Sequence, residues 1–236
     1  MVPTSFEPSS LPTLAGRPDR RERAFELLSR EDGRVRVKLC GMHRAEDVAA
    51  ASAVSPDLCG FVCLFPKSHR DVRPEELPAL VSRVSEHVLT TMVIVDQPPE
   101  LAAGVANVAG IDVIQLHGHE DAAYVQALRA SFDGPVIQAF RIREAADVDE
   151  ALASPADMVL LDAGQGSGTT FDWSLVEGFG ARRPYLLAGG LTPENVREAS
   201  SELRPWGVDM SSGIETCGRK DPKKMAAAVA AVRSAQ

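Results

Sequence analysis

Val35–Gly41 reads VRVKLCG and Met158–Gly164 reads MVLLDAG. Each is a short strand-like run ending on a group that can carry a proton, Cys40 in the first and Asp162 in the second. A thiol and a carboxylic acid are the parts of an acid–base pair. In barrels of parallel strands, side chains from distant parts of the chain converge at the strands' C-terminal face, where the chemistry sits. The two runs together therefore predict a parallel barrel with its site at one mouth.

The flanking sequence repeats the same unit. From Val35 onward, short β-branched or aliphatic runs alternate with longer segments carrying Ala, Glu and Arg, the signature of βα units. Strands are predicted at Val35–Leu39, Leu58–Leu64, Val88–Val95, Val113–Leu116, Val136–Phe140, Met158–Leu161, Tyr185–Ala188 and Gly207–Met210. Helices are predicted at Arg44–Ala53, Pro74–Val84, Pro99–Ala109, Asp121–Ala130, Glu144–Ala153, Trp173–Phe179, Pro193–Ser201 and Pro222–Ser234. Four of them open on Pro, whose missing N–H costs nothing in a first turn. Eight units in about 200 residues fit a small single-domain (β/α)8 TIM barrel, α/β in class. The alternative, an open doubly wound sheet, lacks its Gly-rich fingerprint, because KLCGMHR follows the first strand.

Composition narrows the functional classes. The 236 residues are 44% hydrophobic and 25% charged, ordinary for a chain with its own core. A net charge of −8 argues against nonspecific nucleic-acid binding, but a local nest of N–H donors and cations can still hold an anionic small molecule. Cys40, Cys59, Cys63 and Cys217 have neither C-x-x-C nor zinc-ligand spacing, so no metal is expected, and Cys59 and Cys63 read as core packing. No apolar stretch is long enough for a membrane span, and the first residues hold no signal-peptide core; the expected home is the cytoplasm. Residues 1–33 differ from the barrel, 34–236, in being rich in Pro and Ser and then in mixed charge. They are expected to form a mobile, solvated extension with a short helix over Arg21–Ser29.

Two late stretches suit phosphate. LLAGGLTPENV brings Gly189 and Gly190 to the end of the seventh strand, and GVDMSSGIE brings Ser211, Ser212 and Gly213 to the end of the eighth. Either alone is common turn chemistry. In the two consecutive loops where barrels bind phosphate, they reinforce each other. LLDAGQGSGTTFDW supplies Gly166 and Gly168 in a loop directly after Asp162, an expected active-site loop. Arg70 in FPKSHRDV offers a planar fork for a substrate carboxylate, although a lone loop Arg is usually solvated. His117 in VIQLHGHE ends the fourth strand and is given a supporting role. If Cys40 faces inward, period two puts Lys38 and Arg36 on the same side. A Lys there needs a partner, and Asp209 on the neighbouring eighth strand is the candidate. Lys38 is expected to favour the Cys40 thiolate.

With these residues in hand, the chain resembles the phosphoribosylanthranilate isomerase family of tryptophan biosynthesis. The blocks VKLCG, GFV…FPKSHR, VIQLHG, LLDA, GSGTTFDW, LAGGLTPENV and VDMSSGIE occur in family order from Val35 to about Met225. The resemblance implies a cofactor-free (β/α)8 enzyme that converts N-(5′-phosphoribosyl)anthranilate to 1-(2-carboxyphenylamino)-1-deoxyribulose 5-phosphate by an Amadori rearrangement. It implies Cys40 as general base, Asp162 as general acid, Arg70 on the anthranilate carboxylate, and Gly190, Ser211 and Ser212 in phosphate loops. His117, Gly166, Gly168 and Asp209 complete the expected substrate contacts, with Gly189 and Gly213 on the phosphate. The chain departs from the pattern in its N-terminal extension and in a GFVCLFPKS segment one residue longer than usual. A related histidine-pathway isomerase would carry an aspartate where Cys40 stands, and a non-enzymatic barrel would have lost Cys40, Asp162 or the phosphate loops.

Overall fold

A computed structural model describes residues 18–162 and 173–234. Eight parallel strands form its centre: β1 (Arg36–Leu39), β2 (Leu58–Cys63), β3 (Leu89–Ile94), β4 (Val113–Leu116), β5 (Val136–Arg141), β6 (Met158–Asp162), β7 (Tyr185–Ala188) and β8 (Gly207–Met210). Each pairs with the next, and β1 pairs with both β2 and β8, so the barrel closes, while the two-residue strand Asp71–Val72 adds to the end of β2. The expected (β/α)8 barrel is the observed fold, with strand limits shifted by one residue at most.

Strand alternation sorts the side chains into two apolar layers. Leu58, Leu89, Val113, Ile137, Met158, Leu160 and Leu186 cluster within the barrel. Val37, Leu39, Cys59, Phe61, Cys63 and Met92 belong to a second cluster shared with the helices. Cys59 and Cys63 are therefore packing residues, and burial pushes the Cys59 thiol up to about 12, which leaves it inert.

The surrounding helices are α2 (Ala45–Val54), α3 (Leu77–Val81), α4 (Pro99–Ala109), α5 (Ala122–Arg129), α6 (Ala145–Ala153), α7 (Val196–Leu203) and α8 (Pro222–Arg233), numbered after α1 (Pro18–Leu28) in the extension. Helix α8 shows the local logic: Asp221 accepts from the N–H groups of Lys223 and Lys224, and Pro222 takes the first helical position. Three expectations change, and the first is the helix predicted over Pro74–Val84, of which only Leu77–Val81 is α-helical. The helix predicted over Trp173–Phe179 is instead two short 3-10 segments, Trp173–Val176 and Phe179–Ala181, because Gly178 between them adopts φ 74° and breaks the α-helical bonding. The helix predicted from Pro193 begins only at Val196, since Thr192 and Asn195 close a turn in which Asn195 Oδ1 accepts from Thr192 N at 2.8 Å.

The largest correction concerns the extension. Helix α1 is docked under the barrel, not solvated. Ala24 and Leu28 join the interior cluster, and Trp206 closes it alongside them. Arg20 is 6% exposed and grips Asp112 with two bonds, Nε to Oδ1 at 2.9 Å and Nη2 to Oδ2 at 2.7 Å. It also donates to the carbonyls of Glu86 and Val88. Arg21 pairs with Asp133 and lies over the Phe132 ring. The segment that follows is fastened too, because Trp206 Nε1 donates to Arg30 O at 3.1 Å and Arg36 stacks over the Trp206 ring while pairing with Asp32. Composition misled here because it counts charges without their direction: Arg20, Ala24 and Leu28 recur every four residues and so share one helical face. Residues 1–17 lie outside the described residues.

Candidate active site

The site begins where β1 stops. Cys40 N donates to Met210 O at 2.9 Å, tying the end of β1 to the end of β8, and Gly41 N donates to Gly60 O on β2. Gly60 makes room for the thiol, since a Cβ there would stand 2.6 Å from Cys40 Sγ. Two residues below, Lys38 is fully buried and donates to Asp209 Oδ1 at 3.0 Å, its register partner on β8. Burial alone would lower the Lys38 ammonium, but Asp209 above all, with Cys40 beside it, carries its pKa above the ordinary value. Cys40 departs from expectation. Burial raises its thiol above the ordinary range, and although Lys38 pulls the other way, it does not prevail. The sequence shows that a cation is near; it does not weigh that cation against the removal of water.

Asp162 ends β6 at the same mouth. Its Oδ2 lies 3.6 Å from His117 Nε2 at the end of β4. His117 Nδ1 in turn lies 3.0 Å from Gln115 Nε2, two residues earlier on the same face of that strand. An amide N–H can only donate, so His117 Nδ1 is the acceptor from Gln115, which leaves Nε2 to carry a proton toward the Asp162 carboxyl. Gln115 was not foreseen. Its signal is the period-two spacing from His117, which places both on the inner face.

Arg70 lies on the loop after β2, where Leu64 at φ 63° turns the chain out of the strand. Its guanidinium is not free: Nε donates to Glu215 Oε1 at 2.6 Å and Nη2 to Oε2 at 2.8 Å. Lys220 Nζ shares that carboxylate at 2.7 Å and also donates to Ser211 O at 2.9 Å. Burial would raise the Glu215 carboxyl, but the bonds from Arg70 and Lys220 bring it down to about 2. Burial lowers the Lys220 ammonium despite Glu215. These groups crowd around Gly41, where a Cβ would stand 2.5 Å from Arg70 Cδ, 2.9 Å from Ser211 Oγ and 3.2 Å from Lys220 Nζ. Gly41, at φ 80°, is required there on both counts.

Glu215 and Lys220, like Gln115, are residues of the candidate site that the sequence reading did not pick out. Glu215 faces Lys220, and Thr216 faces Arg219, across a hairpin whose two-residue turn is Cys217–Gly218, with φ 51° and 71°. Left-handed geometry at both central positions is the mark of a type I′ turn, so the Cys-Gly pair was the available clue.

The loops expected to take phosphate meet each other. Gly189 and Gly190 have φ 93° and 64°, and Asn195 Nδ2 donates to Gly190 O at 3.0 Å. Gly213 packs against the backbone of Leu191 and Thr192, an approach that any side chain would block. Ser211 and Ser212 lead into the 3-10 turn Ser212–Ile214. Gly166 and Gly168 lie outside the described residues. Among the described residues no group of three or more His, Cys, Asp or Glu could hold a metal ion.

The family profile for N-(5′-phosphoribosyl)anthranilate isomerase matches residues 37–231. A relative of that name from Azorhizobium caulinodans is 42% identical over 215 residues, covering 86% of this chain and 93% of the relative. A solved phosphoribosyl anthranilate isomerase from Thermotoga maritima superimposes with a TM-score of 0.77 at 34% identity, covering 85% of this chain and 99% of its own. Another, bound to reduced 1-(o-carboxyphenylamino)-1-deoxyribulose 5-phosphate, superimposes at 0.76 with 33% identity, covering 85% and 99%.

Proposed function

The chain belongs to the N-(5′-phosphoribosyl)anthranilate isomerase family and is an enzyme of tryptophan biosynthesis that isomerises this substrate, and we propose that it does so with Cys40 as general base and Asp162 as general acid. The observation that carries this reading is a thiol and a carboxylic acid at strand ends of one mouth, the thiol with Lys38 beneath it. Asp162 protonates the ribose ring oxygen, the C1′–O bond breaks, and a Schiff base to the anthranilate nitrogen forms. Cys40 then takes the C2′ proton and the electron pair of that bond becomes the C1′–C2′ double bond of an enolamine. Tautomerisation gives the ketone. The sum is an internal redistribution of electrons, and the route calls on no cofactor.

The electrostatics fit these roles. Burial keeps Cys40 protonated in the free enzyme at neutral pH, so its ionised fraction is small. That fraction is correspondingly basic, and the Lys38 ammonium stabilises it when the proton leaves. His117, with its proton on Nε2, orients the Asp162 carboxyl. Arg70 reads the anthranilate carboxylate, while Gly189, Gly190, Ser211, Ser212 and Gly213 take the phosphate with N–H and hydroxyl donors. Asp209 serves through Lys38, and Gly166 and Gly168 are assigned to the loop over the substrate.

Among the described residues no helix is long and apolar enough to cross a membrane. We place the enzyme in the cytoplasm, acting on a small phosphorylated substrate without nucleic acid or membrane. The test is growth rescue: the chain should restore growth without tryptophan to a host lacking this isomerase. Soluble, folded protein that fails to rescue contradicts the reading.

A further inference from the structure

We propose that Glu215 is a positioning residue that sets the distance between the two anion-reading groups of the mouth, Arg70 and the Ser211 loop. The proposal rests on the reading of Arg70 as the group that meets the anthranilate carboxylate. A guanidinium has five N–H donors in one plane. Glu215 occupies its side edge, Nε–H and one Nη2–H. The end edge, formed by Nη1 and the remaining Nη2–H, holds no partner among the described residues, so a second carboxylate can bind there in a second parallel pair. The Arg70 plane is thereby fixed before substrate arrives. An arginine without this partner would sample many rotamers and lose side-chain entropy on binding.

The same carboxylate reaches the phosphate side. Lys220 Nζ bridges Glu215 Oε1 at 2.7 Å and Ser211 O at 2.9 Å, with Ser211 Oγ at 3.3 Å. The Cys217–Gly218 turn holds Glu215 and Lys220 opposite each other, and Lys224 Nζ donates to the Glu215 backbone carbonyl at 2.6 Å. Arg70, Glu215, Lys220 and Ser211 thus form one continuous strap from the carboxylate reader to the phosphate loop. Two cations share one carboxylate, and the surplus positive charge faces a substrate that is anionic at both ends. His69 Nε2 lies 3.8 Å from Glu215 Oε2 but is more than half exposed, so it adds little to the strap. The consequence is selectivity for ligands that carry a carboxylate at the fixed distance from their phosphate.

The experiment measures inhibition by two probes, reduced 1-(o-carboxyphenylamino)-1-deoxyribulose 5-phosphate and its phenylamino counterpart lacking the carboxylate, against wild type, Arg70→Lys, Glu215→Gln and Glu215→Asp. Wild type should prefer the carboxylated probe by about tenfold or more, as charge-assisted bonds allow. Glu215→Gln should cut that preference to about threefold or less, and adding it to Arg70→Lys should change the preference no further. Glu215→Asp keeps the charge but withdraws it by one methylene, and should also lose most of the preference. It supplies the readout if Glu215→Gln does not fold. A merely structural Glu215 would weaken both probes equally and leave the wild-type ratio, which overturns the proposal. A wild type indifferent to the carboxylate removes the Arg70 reading itself, and the proposal with it.

Discussion

The floor and the mouth of the barrel are each held by an arginine paired in two bonds with a carboxylate, and they use the pair in opposite ways. At the floor, Asp112 accepts from Arg20 Nε and Nη2 and from the N–H and hydroxyl of Thr90, while Arg20 spends its other bonds on two backbone carbonyls. Among the described residues four of the five Arg20 N–H groups have acceptors, and both Asp112 oxygens are engaged. At the mouth, Glu215 is shared by Arg70 and Lys220, and Arg70 keeps one edge unspent among the described residues. A buried pair whose donors are nearly all spent holds the fold together; one with an edge to spare is ready to bind. Substitutions should therefore separate cleanly, floor changes acting on stability and mouth changes on turnover.

The largest expected effect is at the mouth. With Asp162 as the proposed acid, Asp162→Asn should remove the proton for ring opening and lower kcat by about a thousandfold, within the range general acids contribute. Its unfolding midpoint should stay near wild type; a large joint loss of both would break the separation. The floor counterpart is Arg20→Ala, which leaves the Asp112 carboxylate buried with only Thr90 to meet it. Stability should fall by about 3–5 kcal/mol in urea unfolding, with kcat of the folded protein within about twofold. Removal of residues 1–31, which deletes α1, should do at least as much. If either variant kept wild-type stability, the docked helix would contribute no net energy.

Smaller effects sharpen the contrast. Ser212→Asp sets like charge against phosphate and should raise KM by about tenfold or more without moving the unfolding midpoint; steady-state kinetics with inorganic phosphate as competitor tests it. The smallest effect is on acid stability. The folded Glu215 carboxyl, at about 2, lies below its ordinary 4.5, so its contribution is complete above 4.5 and disappears as pH falls through about 2. Glu215→Gln should lose less stability than wild type across that window, and equal losses would mean the carboxylate is not held down.

Much of this was readable in the sequence, and the exceptions share a cause. Strand limits, the inward face carrying Arg36, Lys38 and Cys40, and the glycines of the last two loops follow from periodicity and turn chemistry, which are local. The docking of α1 was not readable, because the partner of Arg20 is 92 residues away and charge alone suggests solvent. The capture of Arg70 by Glu215 spans 145 residues and depends on a hairpin turn of Cys and Gly that composition does not flag. The direction of the Cys40 shift was also hidden, since it follows from how completely Cys40 is buried at the barrel mouth, a property of the closed fold.

The most direct measurement of the central claim is kcat of Cys40→Ser beside its unfolding midpoint in the same preparation. An alcohol is a far poorer base than a thiol, so turnover should fall by about two to four orders of magnitude while the midpoint stays close to wild type and phosphate still binds. Turnover near that of wild type would make Cys40 a packing residue and contradict the acid–base assignment.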